Sequence, residues 1–522
     1  MAPIAPSTSS LLLRALLAAS SAAASSTTHF VSSSRGDDGN DGASPATAWR
    51  TLPRALTGLA RGDSLLLRQG DVFDLAAAPL QLVSFGSGAN DGGMTPPALL
   101  GAYADGQPAD STPRPWLRRG TGAAPAAGAV VQCVDCVGVA IVGLELSGAE
   151  QGVLFSFSAP ASPAGPAWGA VAVEDCFIHD IRGTRPGSDP TAWGSGVGLN
   201  TTARSDVEAV NISVSRNVFN DSDTAYQNCI TAQTHGGCVW PGAEAGGYVT
   251  TDGVLFARNL VNHVWYNSAF FAFTRNTRVL ENVFLDDVPR VLFPLGTTDI
   301  IVGEVDATVS LVGNEIANRG EVPGGPDGCG IDLEDSSSGV VVADNYVSNT
   351  YGAALLLFAG TGSGSKNISV LNNTFLRDGC VQKSGDHGVI AFLHAGQTGT
   401  VGGNTFASCG GSSVVYFGYT SGFVFADNAV YNTSSLDGIV AATPIVVASA
   451  PGDGATVTVT ATCSTPGAVM RYTLDGGRVT AAAPEWPAGG IEVQRATAVL
   501  VKAFAAGLVE SAVAGGVFAS AR

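Results

Sequence analysis

The sequence predicts an all-β protein, namely a right-handed parallel β-helix solenoid with an N-terminal cap and a small C-terminal β-sandwich domain. Two observations predict the solenoid. A short motif built on Asn or Asp recurs nine times between about residues 130 and 440, and the segments between the motifs alternate apolar and polar residues with a period of two. The composition agrees, because 67 glycines and only 13% charged residues describe a chain rich in turns with an uncharged interior.

In each motif the landmark Asn or Asp is followed by one residue and then by an apolar one. Successive landmarks are 42, 42, 23, 32, 31, 28, 31 and 24 residues apart, and a coil of three strands needs about 20 to 30 residues. Asn suits a stacked turn because it tolerates a left-handed backbone and can hydrogen-bond to the next Asn along the axis. The spacings therefore predict one coil per landmark, with inserted loops. The landmarks are Asp175, Asn217, Asn259, Asn282, Asn314, Asn345, Asn373, Asn404 and Asn428.

The domain boundaries follow from shifts in pattern along the chain. Residues 1–25 hold a short apolar stretch that ends in small residues, which predicts a secretory signal peptide. Residues 26–128 form the cap and first coils, 129–440 the β-helix, and 441–522 the C-terminal module. We therefore expect a secreted protein. Six glycosylation sequons agree with secretion, at Asn200, Asn211, Asn220, Asn367, Asn372 and Asn432.

The net charge of the chain limits the classes of partner that it can bind. A net charge of -18 argues against nucleic acid and against an anionic membrane, since both would be repelled. It suits a neutral polysaccharide, or an anionic one reached through bound calcium. No stretch after the signal is long and apolar enough to span a bilayer. We expect a monomer, with one or two disulfides in loops such as the one between Cys229 and Cys238.

The N-terminal residues carry a family resemblance. A strand and a Gly/Asp loop precede a short predicted helix over residues 49–56, which would close the open end of the solenoid. The segments 30–56, 62–74 and 97–103 together resemble the N-terminal end of secreted, pectate-lyase-like parallel β-helix proteins. That group includes pectate lyases, alginate lyases and several glycoside hydrolases. The resemblance covers residues 30–440 in kind and implies a polysaccharide-active protein.

The last eighty residues lack the landmark and contain antiparallel-looking strands around residues 457–462 and 499–504. Residues 465–476 resemble the small β-sandwich module at the C-terminus of chitobiases and β-hexosaminidases. This resemblance implies an accessory role for the module. We expect Tyr472 and Asp475 to form the core and the turn of a hairpin.

The candidate catalytic pair comes from aligning the strands that follow the landmarks. The strand that begins at Gly330 sends Ile331 and Leu333 inward, so that Asp332 and Glu334 point outward together. Two carboxylates two residues apart on a strand lie roughly 6 to 7 Å apart, which suits general acid and base catalysis in glycoside hydrolysis. Solvated strand carboxylates, or calcium ligands, are the structural alternative.

The predicted neighbours of this pair on adjacent coils are mostly apolar. Next to such a surface a carboxylic acid tends to keep its proton, as a general acid must. The loop before Gly388 leads onto the same face, and it supplies His387 or Lys383 as a base. The outward residues expected to flank the pair are Leu292 and Pro294 on one side, Ala354, Leu356 and Phe358 on the other, and Ile390, Phe392 and His394 one coil further. Those expected to bind substrate are Arg290, Leu356, Phe358, Phe392 and His394.

Two other functions stay open. A calcium-dependent polysaccharide lyase would abstract the proton α to a uronate carboxylate, with Arg290 or Lys383 in the catalytic role and Asp327 and Asp335 as calcium ligands. A non-catalytic glycan-binding or cell-surface protein is the third possibility, because a fold alone does not prove activity. The motifs of polygalacturonases occur only as fragments, at residues 286–287 and 385–388, too far apart for that identity.

Overall fold

The computed structural model describes most of the chain after the N-terminal 25 residues. The described ranges are 26–86, 97–105, 113–120, 124–157, 168–183, 194–201, 209–222, 225–230, 251–264, 268–272, 274–285, 298–303, 307–318, 328–334, 337–358, 364–379, 388–407, 415–431, 435–449, 456–494 and 496–518. The predicted signal peptide lies outside them. Among the described residues, no helix is long and apolar enough to cross a membrane.

The described part of the chain forms a parallel β-helix of stacked coils, each of which visits three sheets in turn. Sheet A contains Thr28–Val31, Ser64–Arg68, Ala98–Tyr103, Val137–Val142, Trp168–Glu174, Ala209–Ser215, Thr251–Ala257, Thr274–Leu280, Ala307–Val312, Val340–Ala343, Ile368–Leu371, Gly399–Gly402 and Phe423–Ala426. Sheet B contains Val72–Asp74, Trp116–Arg118, Glu145–Ser147, Phe177–His179, Val218–Ser222, Leu260–Val264, Val283–Leu285, Glu315–Ala317, Tyr346–Ser348, Thr374–Leu376, Thr405–Ala407 and Ala429–Tyr431. Sheet C contains Leu80–Val83, Ala126–Val134, Ala149–Phe157, Ser195–Thr201, Tyr226–Ile230, Ala269–Ala272, Thr298–Gly303, Cys329–Glu334, Leu355–Leu357, Ile390–Phe392 and Tyr416–Gly418. The predicted fold class is confirmed.

The interior of the solenoid is one continuous apolar core. Inward side chains of successive coils stack in register, as Phe375 does on Phe406 with ring centroids 5.2 Å apart. The core extends from Val31 at the N-terminal end to Phe423 in the last coil. Because each coil buries its apolar residues only against the coils beside it, the stack is stable only as a whole.

A ladder of buried asparagines runs along the corner between sheets A and B. The backbone N–H and the side-chain amide of Asn345 both donate to Oδ1 of Asn373, each over 2.9 Å. The same amide also donates to the carbonyl of Leu311, over 2.8 Å. The pattern repeats from Asn217 to Asn404 and satisfies polar groups that the corner removes from water. The rungs are Asn217, Asn259, Asn282, Asn314, Asn345, Asn373, Asn404 and Asn428.

The structure refines two details of the landmark. The first predicted landmark, Asp175, is not a rung; its neighbour Cys176 takes that place and donates its N–H to Asn217 Oδ1 over 3.0 Å. The left-handed residue of the corner is the one before the rung, for example Arg216 with φ 57° and Asp344 with φ 54°. The rungs thus supply hydrogen bonds and the residues before them supply the turn.

The ladder predicts a strong position effect for a conservative change. We expect Asn345→Asp to lower the free energy of unfolding by about 3 kcal/mol or more, because a buried carboxylate oxygen would face the carbonyl of Leu311 and Oδ1 of Asn373. The matched control Asn349→Asp changes an exposed residue of the same coil and should cost under about 1 kcal/mol. Urea denaturation of both variants measures the difference, and equal losses would contradict a structural role for the ladder.

The N-terminal end of the solenoid is capped as predicted. The helix Leu52–Gly58 begins three residues later than expected, because Thr51 is its N-cap and accepts a hydrogen bond from the Arg54 N–H over 3.3 Å. A short 3₁₀ helix, Pro45–Thr47, precedes it. The segment around Trp49 hydrogen-bonds along the strand Thr28–Val31, and Trp49 itself is buried in the core. This covers the edge of sheet A at that end.

The C-terminal module consists of two antiparallel three-stranded sheets. One contains Ile445–Ala448, Thr456–Thr462 and Ile491–Gln494, and the other contains Val469–Thr473, Ala498–Phe504 and Ala514–Val517. Tyr472 packs edge-on against Trp486 in the module core, with ring centroids 5.3 Å apart. Asp475 accepts the N–H of Gly477 in the turn, over 3.0 Å. Both residues therefore have the structural places predicted for them.

The module does not extend from the end of the solenoid but folds back onto the outer face of sheet B. Leu500 and Val479 pack against Leu260 and Val283 of the sheet. After the last coil, Leu436 already packs against Tyr346 and its neighbours. Among the described residues, the module therefore covers sheet B from the coil of Phe177 to that of Ala407, and its apolar contacts do not include sheet C.

A buried ion pair joins the module to the solenoid. The Nζ of Lys502 lies 2.9 Å from Glu315 Oε1 and 2.7 Å from Glu510 Oε1, and it sits 4.0 Å from the ring centroid of Tyr346. Lys502 and Glu315 are both fully buried. Burial raises the pKa of Glu315 even though Lys502 and Arg478 oppose the rise. Taking these charges from water is tolerable only because they face one another.

Breaking this pair on one side should therefore be costly. We expect Lys502→Met to lower stability by about 3 to 5 kcal/mol because it leaves Glu315 buried without its main partner, and the double variant with Glu315→Gln to recover most of the loss. Hydrogen exchange of the strand Ala498–Phe504, together with chemical denaturation, reads out both. The control Glu485→Gln removes an exposed partner of Arg471 and should cost under about 1 kcal/mol. A Lys502→Met variant as stable as this control would argue against the pair.

The sequence predicts one or two disulfides in loops, and only some of the cysteines lie among the described residues. Among the described cysteines, Cys133, Cys136, Cys176 and Cys463 are free thiols. Cys133 and Cys136 are buried in the core. The side chains of Cys229 and Cys238, between which a loop disulfide is predicted, lie outside the described residues.

Candidate functional site

The strand Cys329–Glu334 places the predicted carboxylates as the alternation requires. Ile331 and Leu333 are buried in the solenoid core, so Asp332 and Glu334 belong to the opposite, outer face of sheet C. Their exposure differs sharply, because Asp332 is only 1% exposed whereas Glu334 is half-buried. The two residues thus share a face, but solvent reaches only one of them readily.

Glycine at the start of this strand is required by packing. A Cβ on Gly330 would lie 2.9 Å from the carbonyl oxygen of Ala354 and 2.9 Å from a methyl group of Val347. The adjacent coil therefore approaches the backbone closely at this point. The glycine that opens the predicted motif holds the strand of Asp332 tightly against the next coil.

Register places Asp332 between Ile301 and Leu356. Ile301 belongs to the strand Thr298–Gly303, and Leu356 to Leu355–Leu357. Leu292 and Pro294, which are expected to flank Asp332, lie outside the described residues, and the residue in register with Asp332 on that coil is Ile301. The expectation for Leu356 holds in position. An apolar residue does follow Asp332 on the next coil.

The outer face around Leu356 is covered rather than open. Leu356 is buried in a small apolar cluster of its own on the outer side of sheet C. The cluster consists of Cys329, Ala353, Leu356 and Ala391, with Leu393 and Phe417 packed against it. Of the two alternatives that an apolar outer face presents, a covered patch or a sugar-binding groove, the covered patch applies here.

A more accessible row lies two residues further along the strands. Gly303 is the register partner of Glu334 on one side. On the other side the N–H of Phe358 donates to the carbonyl of Leu333 over 3.0 Å, which places Phe358 beside Glu334. The Phe358 side chain is 39% exposed. Glu334 therefore lies between a residue without a side chain and an exposed aromatic ring.

The prediction for Phe392 is wrong. Its side chain is fully buried in the solenoid core, 4.5 Å from Phe423 between ring centroids, and the outward residue of its strand is Ala391. Ile390 faces inward for the same reason. The carbonyl of Val389 accepts from the N–H groups of both Ala354 and Leu355. Two residues of one coil therefore lie opposite one residue of the next coil, as in a β-bulge. This irregularity shifts the register between the two coils by one residue. Residues that the sequence alignment predicts on the outer face, such as Ile390 and Phe392, therefore point into the core.

His394 lies beyond the end of that strand, where it is half-buried. Its Nδ1 is 2.6 Å from the carbonyl oxygen of Ala395, and Gly364 of the preceding coil lies against the ring. The imidazole is thus engaged with local backbone at a corner of the coil. Its predicted role in binding substrate stays a prediction.

The other predicted site residues lie outside the described residues: Arg290, Asp327, Asp335, Lys383 and His387. The calcium hypothesis depends on two of them. Within the described ranges no group of three or more His, Cys, Asp or Glu side chains is arranged to hold a metal ion. The structure therefore brings together Asp332, Glu334, Leu356 and Phe358, and nothing in the described part of the chain adds a calcium site to them.

One buried ionisable residue near this face is not predicted from the sequence. Asp378 is fully buried at the corner between sheets B and C, and its Oδ1 accepts from the N–H and the hydroxyl of Thr350, each over 3.0 Å. Its Oδ2 has no hydrogen-bond partner among the described residues. Burial raises its pKa from 3.8 to about 7. Only burial distinguishes this Asp from exposed ones, and burial cannot be read from a single loop sequence.

This carboxyl should make stability depend on pH. Because the folded-state pKa of about 7 exceeds the unfolded value of 3.8, the stabilisation is complete below pH 4 and is lost as pH rises to 7, by up to about 4 kcal/mol. Asp378→Asn keeps the acceptor for Thr350 and removes the titration. Its stability relative to the parent should therefore rise between pH 4 and pH 8 in denaturation curves. A difference that does not change with pH would show that Asp378 keeps no proton.

A second titratable cluster lies on sheet B, next to the edge of the docked module. The ring of His179 lies between two carboxylates, with Nδ1 2.8 Å from Asp180 and Nε2 3.2 Å from Glu145. Burial alone would lower the pKa of His179, but its hydrogen bonds to the two carboxylates and their negative charge outweigh burial and raise the pKa. The ring also stacks on Phe177, with centroids 4.4 Å apart. The cluster is compact and internally paired, which fits a structural role.

Comparison with known proteins supports the architecture of both parts. Residues 450–514 match the family described as the chitobiase/beta-hexosaminidase C-terminal domain. The chain as a whole is similar to crystal structures of a GH136 lacto-N-biosidase from Eubacterium ramulus. One superposes with a TM-score of 0.56 at 17% identity, over 78% of this chain and 68% of that chain. The chain shares their parallel β-helix fold.

The native form of the same lacto-N-biosidase gives a TM-score of 0.55 at 16% identity, over 81% of this chain and 69% of that chain. A more distant likeness is to an alginate lyase from Paenibacillus sp. str. FPU-7, with a TM-score of 0.34 at 11% identity, over 78% of this chain and 99% of that chain. No curated protein matches the chain significantly. At these identities the comparisons establish the fold and leave the reaction to the residues.

Proposed function

We propose that this protein is a secreted, polysaccharide-active glycoside hydrolase whose catalytic carboxylates are Asp332 and Glu334. The observation that carries the proposal is their placement on one outer face of sheet C, with the exposed ring of Phe358 beside Glu334. A hydrolase of this kind needs two carboxyl groups on either side of the bond that breaks. A glycoside-cleaving relative of the same fold, the lacto-N-biosidase, supports the choice of chemistry.

The surroundings suggest different roles for the two carboxyl groups. Asp332 is 1% exposed and lies beside Leu356, and of the two carboxyl groups the one withheld from water is better suited to act as the general acid. It would donate its proton to the glycosidic oxygen as the bond to the anomeric carbon breaks. Glu334, which solvent reaches, would act as the carboxylate, either by attacking the anomeric carbon or by taking a proton from the attacking water. With 1% exposure, Asp332 reaches a substrate only after the surface above it opens.

The docked module limits where a substrate can lie. Sheet B is occupied by the module through Leu500 and Val479 and the buried pair of Lys502 with Glu315. Sheet C keeps its outer face clear of this contact, and Phe358 presents 39% of its surface there. An exposed aromatic ring next to a carboxylate is a suitable platform for the apolar face of a sugar ring.

Non-catalytic glycan binding is the second candidate, and the burial of Asp332 favours it. If Asp332 never meets a substrate, then Glu334 and Phe358 alone provide a hydrogen-bond acceptor and a stacking surface. That pair would bind a sugar and would lack the proton donor needed to cleave it. The calcium-dependent lyase stays a third candidate, and the residues assigned to it lie outside the described ranges.

The hydrolase proposal predicts a loss of activity without a loss of fold. We expect Asp332→Asn and Glu334→Gln each to lower kcat/KM by at least about 100-fold, since each removes one half of the acid–base pair. Asp427→Asn, at an exposed corner of sheet A, is the matched control and should stay within about twofold of the parent. Reducing-end release is measured on a panel of glycans that includes substrates of lacto-N-biosidases.

The same panel separates the three functions. Activity that survives both substitutions would refute the assigned pair. Ultraviolet absorbance of a new unsaturated uronate, abolished by a chelator, would select the lyase. Binding on a glycan array that Phe358→Ala weakens, with no product from any substrate, would select the non-catalytic protein.

Secretion is part of the proposal and has a separate test. The sequons Asn367 and Asn372 are exposed at the two ends of one strand of sheet A, whereas Asn220 is buried and hydrogen-bonded to Asn262 over 2.6 Å. We therefore expect glycans at the first two positions and none at the third. Expression of the full chain in a eukaryotic secretory host, followed by mapping of glycopeptides, measures this. Retention inside the cells would contradict the secretion part.

A further inference from the structure

The two ends of the solenoid differ in how they are finished. At the N-terminal end, the helix Leu52–Gly58 and the segment around Trp49 cover the first strand of sheet A. At the other end, the last strands are Phe423–Ala426 in sheet A, Ala429–Tyr431 in sheet B and Tyr416–Gly418 in sheet C. Among the described residues no strand pairs with the outer edge of any of these three. The C-terminal end therefore presents three open sheet edges at once.

Core residues are exposed at this open end. Phe425 and Val430 are in register with the buried residues Val401 and Phe406 of the preceding coil, yet they are 37% and 49% exposed. Tyr416 stacks against Phe425 with ring centroids 4.5 Å apart and is also partly open. These three residues form the last layer of the apolar core, and no further coil covers them among the described residues. In a monomer they would remain in contact with water, at a cost that such a patch normally avoids.

The described residues that follow the last coil do not close this end. After the strand Ala429–Tyr431, the described chain resumes with Leu436 packed against Tyr346, several coils back toward the N-terminus. The module then continues in the same direction as far as Phe177. The Asn ladder also stops open, since Asn428 accepts from Asn404 but no described asparagine follows it.

Charge favours this end as a contact between copies. The chain carries a net charge of -18, so two copies repel each other over most of their surface. Residues 415–431, which form the last coil, contain a single charged residue, Asp427. Electrostatic repulsion is therefore smallest where the apolar core is exposed.

We propose that the last coil is a dimer interface and that its partner is a second copy of this chain, joined end to end. At the N-terminal end the edge of the first strand of sheet A is already hydrogen-bonded by the segment around Trp49, so a head-to-tail stack could not continue sheet A. Two C-terminal ends meet only about a twofold axis, which places the same surface on both sides. Strands that face each other across this axis run antiparallel and can pair through their open edges. The dimer replaces the monomer that the sequence predicts.

The experiment compares the full chain with two variants matched in exposure. Val424, in the last strand of sheet A, and Val83, in the first strand of sheet C, are each 64% exposed. Sedimentation velocity of the parent between about 1 and 50 μM should give twice the chain mass. We expect Val424→Lys to sediment as a monomer, because it places two like charges opposite each other on the paired edges of sheet A. Val83→Lys, at the capped end, should remain a dimer.

A third variant and a second measurement guard against misfolding. Val430→Lys changes the exposed end of the core and should also give a monomer with an unchanged circular dichroism spectrum. In the parent, hydrogen exchange of the amides of Phe423–Ala426 should slow as the protein concentration rises. The highest concentration, about 50 μM, would populate even a weak specific dimer. A parent that is still monomeric at this concentration would overturn the proposal. So would dimers of Val424→Lys and Val430→Lys, or loss of the dimer in Val83→Lys alone.

Discussion

The stacking of buried asparagines at one corner of each coil is the interaction on which the rest of the structure depends. Each rung donates twice to the rung after it and once to a backbone carbonyl of the coil before it. The corner must turn the chain without leaving unpaired polar groups in an apolar solenoid, and the rungs satisfy that requirement in the coils from Asn217 to Asn428. Sheets A, B and C are held in register because the ladder fixes the height of each coil. The outer faces that could bind a ligand are defined by the same register.

The sequence predicted the parts of this protein that repeat. Asn217 and its equivalents carry a signal because the same residue must serve the same hydrogen bonds at every coil, and period-two alternation assigns inward and outward residues within a strand. The sequence-based predictions are wrong where a coil departs from the average pattern. At Val389 one residue faces two, so Phe392 turns inward. At the first rung Cys176 replaces Asn, and the adjacent Asp175 was mistaken for it. Local irregularities leave no trace in a pattern built from the other coils.

The candidate site shows the same division between what is periodic and what is not. The shared face of Asp332 and Glu334 follows from alternation and was predicted. The covering of Leu356 depends on its packing with Cys329 and Ala391, which lie on the coils to either side of it. The burial of Asp378 beneath Thr350 has the same origin. The buried contact of Lys502 with Glu315 joins residues far apart in the chain and decides which face of the solenoid remains free. None of these contacts is local in sequence.

The ladder has a consequence for how such a protein can change during evolution. Asn217 and Asn259 are 42 residues apart in the chain, whereas Asn259 and Asn282 are only 23 apart, yet the amide-to-oxygen distances are 3.1 Å and 3.0 Å. The rung contacts are therefore indifferent to the length of chain inserted between them. Insertions in the loops can be gained, lost or exchanged under selection for a new ligand without disturbing the scaffold. In this architecture mutational tolerance is concentrated in the segments that would determine specificity, and constraint is concentrated in a single column of side chains.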